Sequence, residues 1–387
     1  PAAPTVSASM PNSLRSSIGG VRAAHVKEHA GSGGLMRRLP HPRFMAGGRI
    51  RATVLGFAGA LVVFALLFTF AGVDDLLTQL RNADLRLVAL VFLVTLGWLA
   101  AWGFSLRTVL DVLGVPLSVP QAFLVFTGAM FSNNVTPFGQ AGGEPVTALL
   151  ISQVADTEYE TGLAAIASVD TLNFVPSITI ALIGAGYYAT EVTLGRNLEI
   201  ALLVVGGLAV VVPSLVYVGW QNRYGIERRA VSALTPLIRR IAAVVPRVSV
   251  PTESGIERRI TGFFRAIERV GGDPRRLGVA LGLSALGWFF QMVALWLAFI
   301  AIDEPIAFSI ALFVVPIGAI AGVTPLPGGA GGIEWTLAIL IAAASASVGF
   351  DVATAGVVIF RGLVYWTPTL LGGAVMGVLG FRGRGSP

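Results

Sequence analysis

"VTPLPGGAGGIEWTLAILI", residues 323–341, places two prolines, four glycines and a glutamate within an otherwise apolar run. A near copy, "NNVTPFGQAGGEPVTALLI", stands at residues 133–151. Because proline cannot donate to a helix ladder and disfavours helix in the residue before it, each copy predicts that an incoming helix ends at its proline. The glycines allow the chain to reverse. A second helix is predicted to begin near Glu144 or Glu334, with Pro145 suited to a first helical turn.

The composition around these motifs is that of a membrane protein. Of the 387 residues, 55% are hydrophobic and 12% are charged, and the mean hydropathy is +0.78. A soluble globule of this size could not bury so much apolar surface. The chain has no cysteine, and its three histidines (His25, His29 and His41) precede the first apolar run, so no metal site or cofactor is expected. The net charge of +6 is too small to favour nucleic-acid binding.

Six apolar stretches are long enough to cross a bilayer, since a spanning helix needs about 20 such residues. They are 52–73, 85–108, 161–188, 198–220, 277–300 and 352–379. Regions 119–152 and 306–348 are also apolar, but one of the two motifs interrupts each of them.

The arginines predict the orientation of these spans, because they tend to stay on the cytoplasmic side. They are concentrated in the N-terminal tail, in segment 221–276, where twelve arginines stand with five acidic residues, and at Arg382 and Arg384. Both chain ends and that segment are therefore predicted to be cytoplasmic. Six crossings then require each interrupted region to return to the side it entered, so 119–152 and 306–348 are predicted to be re-entrant hairpins.

The two halves of the chain repeat each other. "LGWLAAW" (96–102) precedes the first motif at nearly the distance at which "LGWFFQM" (286–292) precedes the second, and Asp170 and Arg361 hold matching positions after the motifs. The loop charges give the halves opposite orientation. We therefore predict an all-α polytopic membrane protein, with six transmembrane helices and two re-entrant helical hairpins arranged as an inverted-topology repeat. Its predicted parts are a disordered basic tail (1–50), a first repeat (51–220), a basic amphipathic segment (221–276), a second repeat (277–381) and a C-terminal tail (382–387).

Polar groups at membrane depth define the candidate site. Helix N-termini attract anions, and broken helices persist in a bilayer only where protein or a wet cavity surrounds them. Ionisable residues at that depth are costly and mark functional sites or buried pairs. The predicted substrate-binding residues are Pro137, Gly142, Gly143, Glu144, Pro145, Asp170, Asn173, Pro325, Pro327, Gly328, Gly329, Gly331, Glu334 and Arg361.

Alternatives stay open for the charged groups. The two glutamates are either ligands or simple caps of the helices that they begin. Asp170 and Arg361 either pair with each other across the repeat, or Arg361 binds a head group. In segment 221–276, apolar residues such as Ile260, Phe263 and Ile267 fall on one helical face with arginines elsewhere, which predicts an interfacial helix.

"TPFGQAGGEPVTALL" and "TPLPGGAGGIEWTL", followed by Asp170 and Arg361, resemble the two motifs of the flippase-like domain family. This family is also called the lysylphosphatidylglycerol synthase transmembrane region, or UPF0104. The resemblance implies a polytopic domain that translocates a modified lipid which a separate soluble domain makes. The sequence departs from the family pattern where Phe138, Gly139, Thr147 and Ile333 stand, near positions at which members often carry arginine.

The leading hypothesis from the sequence is a lipid translocase of the cytoplasmic membrane. Its partner would be an anionic phospholipid or a polyprenyl-linked precursor, and it would have no ATPase of its own, since no GxxxxGK[ST] motif occurs. Two alternatives are a secondary transporter of a small anion or solute, and a non-transporting scaffold for a lipid-modifying or glycosyl-transferring enzyme. An enzyme activity of the chain itself, with catalytic residues of its own, is not expected, because the predicted spans contain no histidine or cysteine.

Overall fold

The computed structural model describes residues 46–136, 139–191, 206–207, 210–211, 214, 217–219, 221–244, 253–322 and 326–382. Pro137, Pro325 and most of the predicted span 198–220 lie outside the described residues, as does the predicted tail up to residue 45. The described residues are helical, without a β-strand. The helices are α1 (Ala46–Ala71), α2 (Val73–Asn82), α3 (Leu85–Val112), α4 (Val119–Val135), α5 (Gln140–Val154), α6 (Tyr159–Glu191), α7 (Arg223–Val244), α8 (Glu253–Gly272), α9 (Pro274–Ile300), α10 (Phe308–Ile320), α11 (Gly332–Ala344) and α12 (Phe350–Arg382).

Several of these helices can cross a membrane. Among the described residues, five helical stretches are long and apolar enough, namely Leu85–Val112, Tyr159–Tyr188, Pro274–Ile300, Pro327–Ala344 and Phe350–Val378. A sixth is added if Leu61–Ala71 and Leu76–Asn82 count as one span, although the chain bends by 88° between them. The protein is therefore a multi-pass membrane protein, and the predicted spans 85–108, 161–188, 277–300 and 352–379 are confirmed as long apolar helices.

Helices α3 and α9, which carry the two Gly-Trp pairs, form the centre of the bundle. A Cβ atom added at Gly287 would lie 2.0 Å from Trp102 Nε1, and one added at Gly97 would lie 3.2 Å from the Phe290 ring. Each helix thus receives an aromatic side chain of the other at a glycine. The Trp102 indole donates to the Ser284 carbonyl (3.1 Å) and its ring lies 5.5 Å from that of Trp288.

The remaining helices pack across the two halves in an exchanged pattern. Helix α4 of the first half (α3–α6) packs against α12 of the second half (α9–α12), and the equivalent α10 packs against α6. The contacts α3–α6 and α9–α12 correspond in the same way, as do α4–α5 and α10–α11, and α5–α6 and α11–α12. Exchanging the halves therefore preserves the pattern of neighbours, as the repeated sequence motifs lead one to expect.

The first motif breaks the chain as predicted, but the second helix begins earlier than predicted. Helix α4 ends at Val135, and Gly139 turns the chain with a φ of 53°. Helix α5 then begins at Gln140, four residues before Glu144, so Pro145 lies inside the helix rather than in its first turn. Gly142 and Gly143 are correspondingly helical, so the chain reverses before them, at Gly139.

The second motif agrees more closely with the prediction. Helix α10 ends at Ile320 and a 3-10 turn spans Pro327–Gly329. Gly328, Gly329 and Gly331 have φ values of 58°, 67° and 89°, a region that residues with a Cβ atom rarely enter. Helix α11 then begins at Gly332, two residues before Glu334, as the sequence predicted.

The amphipathic helix of the basic segment packs against protein. Ala266 and Val270 of α8 are buried, and Phe263 and Ile267 pack against the same core. Thr261 donates to Glu227 of α7 at 2.8 Å. Part of the apolar face that predicted an interfacial helix is therefore used to hold α8 on α6 and α7.

Candidate functional site

The second motif places Glu334 at the start of α11, where its carboxylate has two donors. Oε2 accepts from the Gly331 backbone N–H (2.6 Å) in a capping box, and Oε1 accepts from Arg361 Nε (2.8 Å). The two side chains are buried, with 3% of Glu334 and 12% of Arg361 exposed. Glu334 is thus both a helix cap and a member of a buried ion pair. Of the two roles that the sequence left open for Glu334, the structure shows the helix cap, and the ion pair with Arg361 was not predicted.

Arg361 also reaches the 3-10 turn of the motif. Its Nη2 donates to the Gly328 carbonyl (3.2 Å), and its guanidinium carbon lies 5.6 Å from the centre of the Tyr365 ring. A cation over an aromatic face is stabilised by the quadrupole of the ring. Arg361, on the long helix α12, therefore fixes the broken backbone of the motif beside it.

The corresponding positions of the first half hold two acids. The carboxyl groups of Glu144 on α5 and Asp170 on α6 lie close enough to interact with each other. Asp170 is buried, whereas Glu144 is partly exposed. Among the described residues, neither carboxyl forms an ion pair. The predicted alternative in which Asp170 pairs with Arg361 across the repeat is wrong, since each pairs with the glutamate of its own half.

Asn133 and Asn134, at the end of α4, lie beside both pairs. A Cβ atom added at Gly143 would lie 2.0 Å from Asn133 Oδ1, so the Asn133 side chain packs directly on the turn that carries Glu144. A Cβ atom added at Gly328 would similarly lie 3.0 Å from Asn134 Oδ1. Two consecutive residues at the end of α4 thus contact the motifs of both halves, one at the start of α5 and the other at the 3-10 turn.

Asn134 and Tyr365 connect the halves by reciprocal hydrogen bonds. Asn134 Nδ2 donates to the Tyr365 carbonyl (3.1 Å) and to Thr369 Oγ1 (2.8 Å), while the Tyr365 hydroxyl donates to the Asn134 carbonyl (3.0 Å). The sequence reasoning missed all four of these polar residues, Asn133, Asn134, Tyr365 and Thr369. The signal available was the Asn-Asn pair that begins the first motif and ends the apolar run before it.

Asn173, another predicted site residue, has mainly a packing role. Its Oδ1 accepts from Ser284 Oγ (2.5 Å) and its carbonyl accepts from Trp288 Nε1 (2.9 Å), which fastens α6 to α9. Its Nδ2, like Asn133 Oδ1 and Asp170 Oδ2, is buried without a hydrogen-bond partner among the described residues. Such atoms are uncommon in folded proteins and call for a physical explanation.

Other predicted residues shape the breaks through their backbone. Pro327, Gly329 and Gly331 are buried in the turn before α11, while Gly142 and Pro145 lie on α5 beside the first pair. In the described part of the chain, no group of three or more histidine, cysteine, aspartate or glutamate residues is placed to hold a metal ion. A cavity of about 380 Å³ lies elsewhere, at the end of α3 and the start of α9, lined by Thr108, Asp111, Asp273, Arg275, Arg276 and Val279.

Comparison with known proteins identifies the family of this chain. The family described as the lysylphosphatidylglycerol synthase TM region matches residues 53–372. A UPF0104 membrane protein of Methanothermobacter thermautotrophicus is 28% identical over 333 residues, which cover 83% of this chain and 92% of the relative. A UPF0104 membrane protein of Pyrococcus horikoshii is 25% identical over 325 residues, covering 82% and 94%. The matched region includes both motifs and both pairs, and the chain belongs to the family of the lysylphosphatidylglycerol synthase transmembrane region.

Proposed function

We propose that this protein is a translocase that moves the anionic head group of a lipid, or of a lipid-linked precursor, across the cytoplasmic membrane without an ATPase of its own. The observation that carries the proposal is the Glu334–Arg361 pair at the broken backbone of the second motif. The head group would bind at this pair while the lipid tails remain in the bilayer.

Arg361 can supply the contacts that a phosphate needs. A guanidinium has five N–H donors, and the bonds to Glu334 and Gly328 use two of them. Arginine binds phosphate through paired, parallel hydrogen bonds, which a planar guanidinium favours. Glu334 would keep Arg361 neutralised and oriented between turnovers, so that the empty site is not an unpaired charge at membrane depth.

The exchanged packing supports an inverted-topology repeat with the site between the halves. In transporters built this way, substrates bind near the midplane at broken helices, and one half moves against the other around the site. Here the breaks of both halves meet at Asn134, which touches Gly328 of the other half. We propose that regions 119–152 and 306–348 are re-entrant hairpins entered from opposite sides, as the loop charges predict.

Two features favour a lipid over a small soluble anion. Trp366, next to Tyr365 in the site, has 54% of its surface exposed, and Phe174, next to Asn173, has 50% exposed. Exposed apolar side chains therefore neighbour the site in sequence. In a spanning helix, such side chains are expected to face the bilayer. In addition, the family takes its name from a synthase of lysylphosphatidylglycerol, which is a lipid.

Purified protein in liposomes tests the proposal. Head-group movement is followed with fluorescent anionic and zwitterionic lipids and a membrane-impermeant quencher. We expect movement of an anionic lipid by the wild type and its loss in Arg361→Ala, with no loss in Arg86→Ala, which removes an arginine from the exposed start of α3. Variants are compared at equal amounts of monodisperse protein.

The outcomes separate the alternatives. Transport of a soluble anion into the lumen without lipid movement would instead establish the solute transporter. Equal lipid movement by the wild type and Arg361→Ala would refute the assigned site. A folded protein that moves neither any tested lipid nor any anion would refute the translocase and favour the scaffold for a lipid-modifying enzyme.

A further inference from the structure

Each half has a glutamate at the equivalent position of its motif, but the residue that this glutamate contacts is a cation in one half and an acid in the other. In the second half, the carboxylate of Glu334 has a permanent cation, Arg361, as its partner. In the first half, the equivalent carboxyl of Glu144 has another carboxyl, Asp170, as its partner. The first pair is therefore not suited to bind a phosphate, since an anion beside two carboxylates is repelled.

The first pair is suited to bind a proton. Two carboxylates in contact repel each other when both are ionised, and one shared proton converts that repulsion into a hydrogen bond. Buried acceptors without a donor lie at this pair and beside it, because Asp170 Oδ2 and Asn133 Oδ1 have no partner among the described residues. Tyr159, at the start of α6, is a further ionisable group that interacts with Glu144. From α9, Ser284 and Trp288 face the adjacent turn of α6, and neither carries a charge.

The geometry also gives access to the first pair from one side and a physical connection from it to the second pair. Glu144 is partly exposed while Asp170 is buried, so water can reach the neighbouring carboxyls from the side of Glu144. Asn133 packs on the turn of Glu144, and the next residue, Asn134, holds Tyr365 beside Arg361. One helix end therefore contacts both pairs and connects them physically.

We propose that Glu144 and Asp170 form a proton-binding site that couples lipid movement to a proton gradient. This proposal rests on the proposed function. The ionised pair disfavours an anionic head group at the neighbouring break, and the protonated pair admits it, so proton and lipid cross in the same direction. The proton binds a carboxylate oxygen from water on one side and leaves to water on the other, and no bond of the lipid changes.

The transport experiment measures the steady-state distribution of the anionic lipid under an imposed pH gradient. With one proton per lipid, each unit of pH difference shifts the ratio of lipid between leaflets about tenfold, toward the leaflet on the alkaline side. We expect that shift in the wild type and in Asp303→Asn, which alters an exposed aspartate outside the site. We expect the pH-driven shift to disappear in Asp170→Asn and in Glu144→Gln, because each variant lacks one of the two carboxyls that share the proton.

A second measurement does not depend on transport. Infrared difference spectra of purified wild-type protein, recorded between acidic and alkaline buffer, report the carbonyl stretch of protonated carboxyls. We expect a band that titrates, shifts in D₂O and is missing in Asp170→Asn and Glu144→Gln but present in Asp303→Asn. A spectrum in which these two acids contribute no titrating band would overturn the proton site, even if lipid moves.

The remaining outcomes are also decisive. If the infrared band titrates as expected but the wild type moves no lipid, the proposed function fails while the proton site stands. If lipid moves but its distribution ignores the pH gradient, the coupling is refuted. If sodium at constant pH abolishes the band and a sodium gradient drives the lipid, the site binds a metal cation and the proton assignment is wrong.

Discussion

Asn134 and Tyr365 bind each other twice, since the amide of Asn134 donates to the Tyr365 carbonyl at 3.1 Å and the Tyr365 hydroxyl donates to the Asn134 carbonyl at 3.0 Å. They are 231 residues apart in sequence and belong to different halves. Because the Asn134 carbonyl is at the open end of α4, the hydroxyl satisfies a group that the interrupted helix leaves without a partner.

Removing that hydroxyl tests the importance of this bond. We expect Tyr365→Phe to lower the free energy of unfolding by about 1 kcal/mol, because a part-buried carbonyl loses its donor. The ring that packs on Arg361 is retained. Thermal unfolding in detergent measures the change, with Tyr217→Phe, at an exposed tyrosine, as the control. An unchanged melting temperature in Tyr365→Phe would show that the bond does not hold the halves together.

The Glu334–Arg361 pair allows stability and transport to be separated. We expect Arg361→Met alone to cost about 3–5 kcal/mol, because it leaves a buried carboxylate unpaired. The double variant Arg361→Met with Glu334→Gln should regain most of that loss, since glutamine still accepts from the Gly331 N–H. Both variants should lack lipid transport. Recovery of transport together with stability in the double variant would make the pair structural only.

Two glycines of α9 test the packing of the central helices. Gly287→Ala would place a Cβ atom 2.0 Å from Trp102 Nε1, whereas a Cβ atom at Gly282 meets nothing within 4 Å. We expect Gly287→Ala to destabilise the protein by about 1–3 kcal/mol through overpacking, and Gly282→Ala to be neutral or slightly stabilising. Melting temperatures of the two variants, measured side by side, decide the matter. Equal melting temperatures would show that α3 and α9 are less closely packed than described.

The absence of cysteine in the sequence makes the topology directly testable. Thr157 lies in the exposed turn between α5 and α6, and Ser347 holds the corresponding place between α11 and α12. If the hairpins enter from opposite sides, a membrane-impermeant maleimide added to intact cells should label Ser347→Cys and not Thr157→Cys. Thr157→Cys should react once the membrane is opened. Labelling of both variants in intact cells would exclude the inverted arrangement.

The sequence predicted the helix breaks because their causes are local. Proline and glycine act on the backbone within a few residues, so the end of α4 at Val135 and the start of α11 at Gly332 follow from composition. Helix α5 begins four residues before Glu144, whereas α11 begins two residues before Glu334, so the two glutamates lie at different positions in their helices. Gly139 takes a positive φ in the turn, and Glu144 falls in the second turn of the helix that follows.

The partners of the charged residues depend on packing between distant segments, which a single sequence does not state. Matching positions suggested that Asp170 faces Arg361, yet the symmetry that makes positions equivalent also places each beside the glutamate of its own half. The sequence did not predict a role for Asn133 and Asn134, because polar residues are common where a helix ends. Their contacts with Gly143 and Gly328 become visible only when both breaks are brought to the same place.

The exchanged packing of the halves has a consequence for how the protein is made. Helix α4 finds its main cross-half neighbour in α12, and α6 finds its own in α10, so the first half leaves the ribosome long before its partners exist. Until then Asn134 has no tyrosine to bind, and Gly97 receives no aromatic ring. Insertion of the early spans must therefore precede folding by the time needed to synthesise well over a hundred residues. During that interval the half-made chain is a substrate for membrane chaperones and proteases.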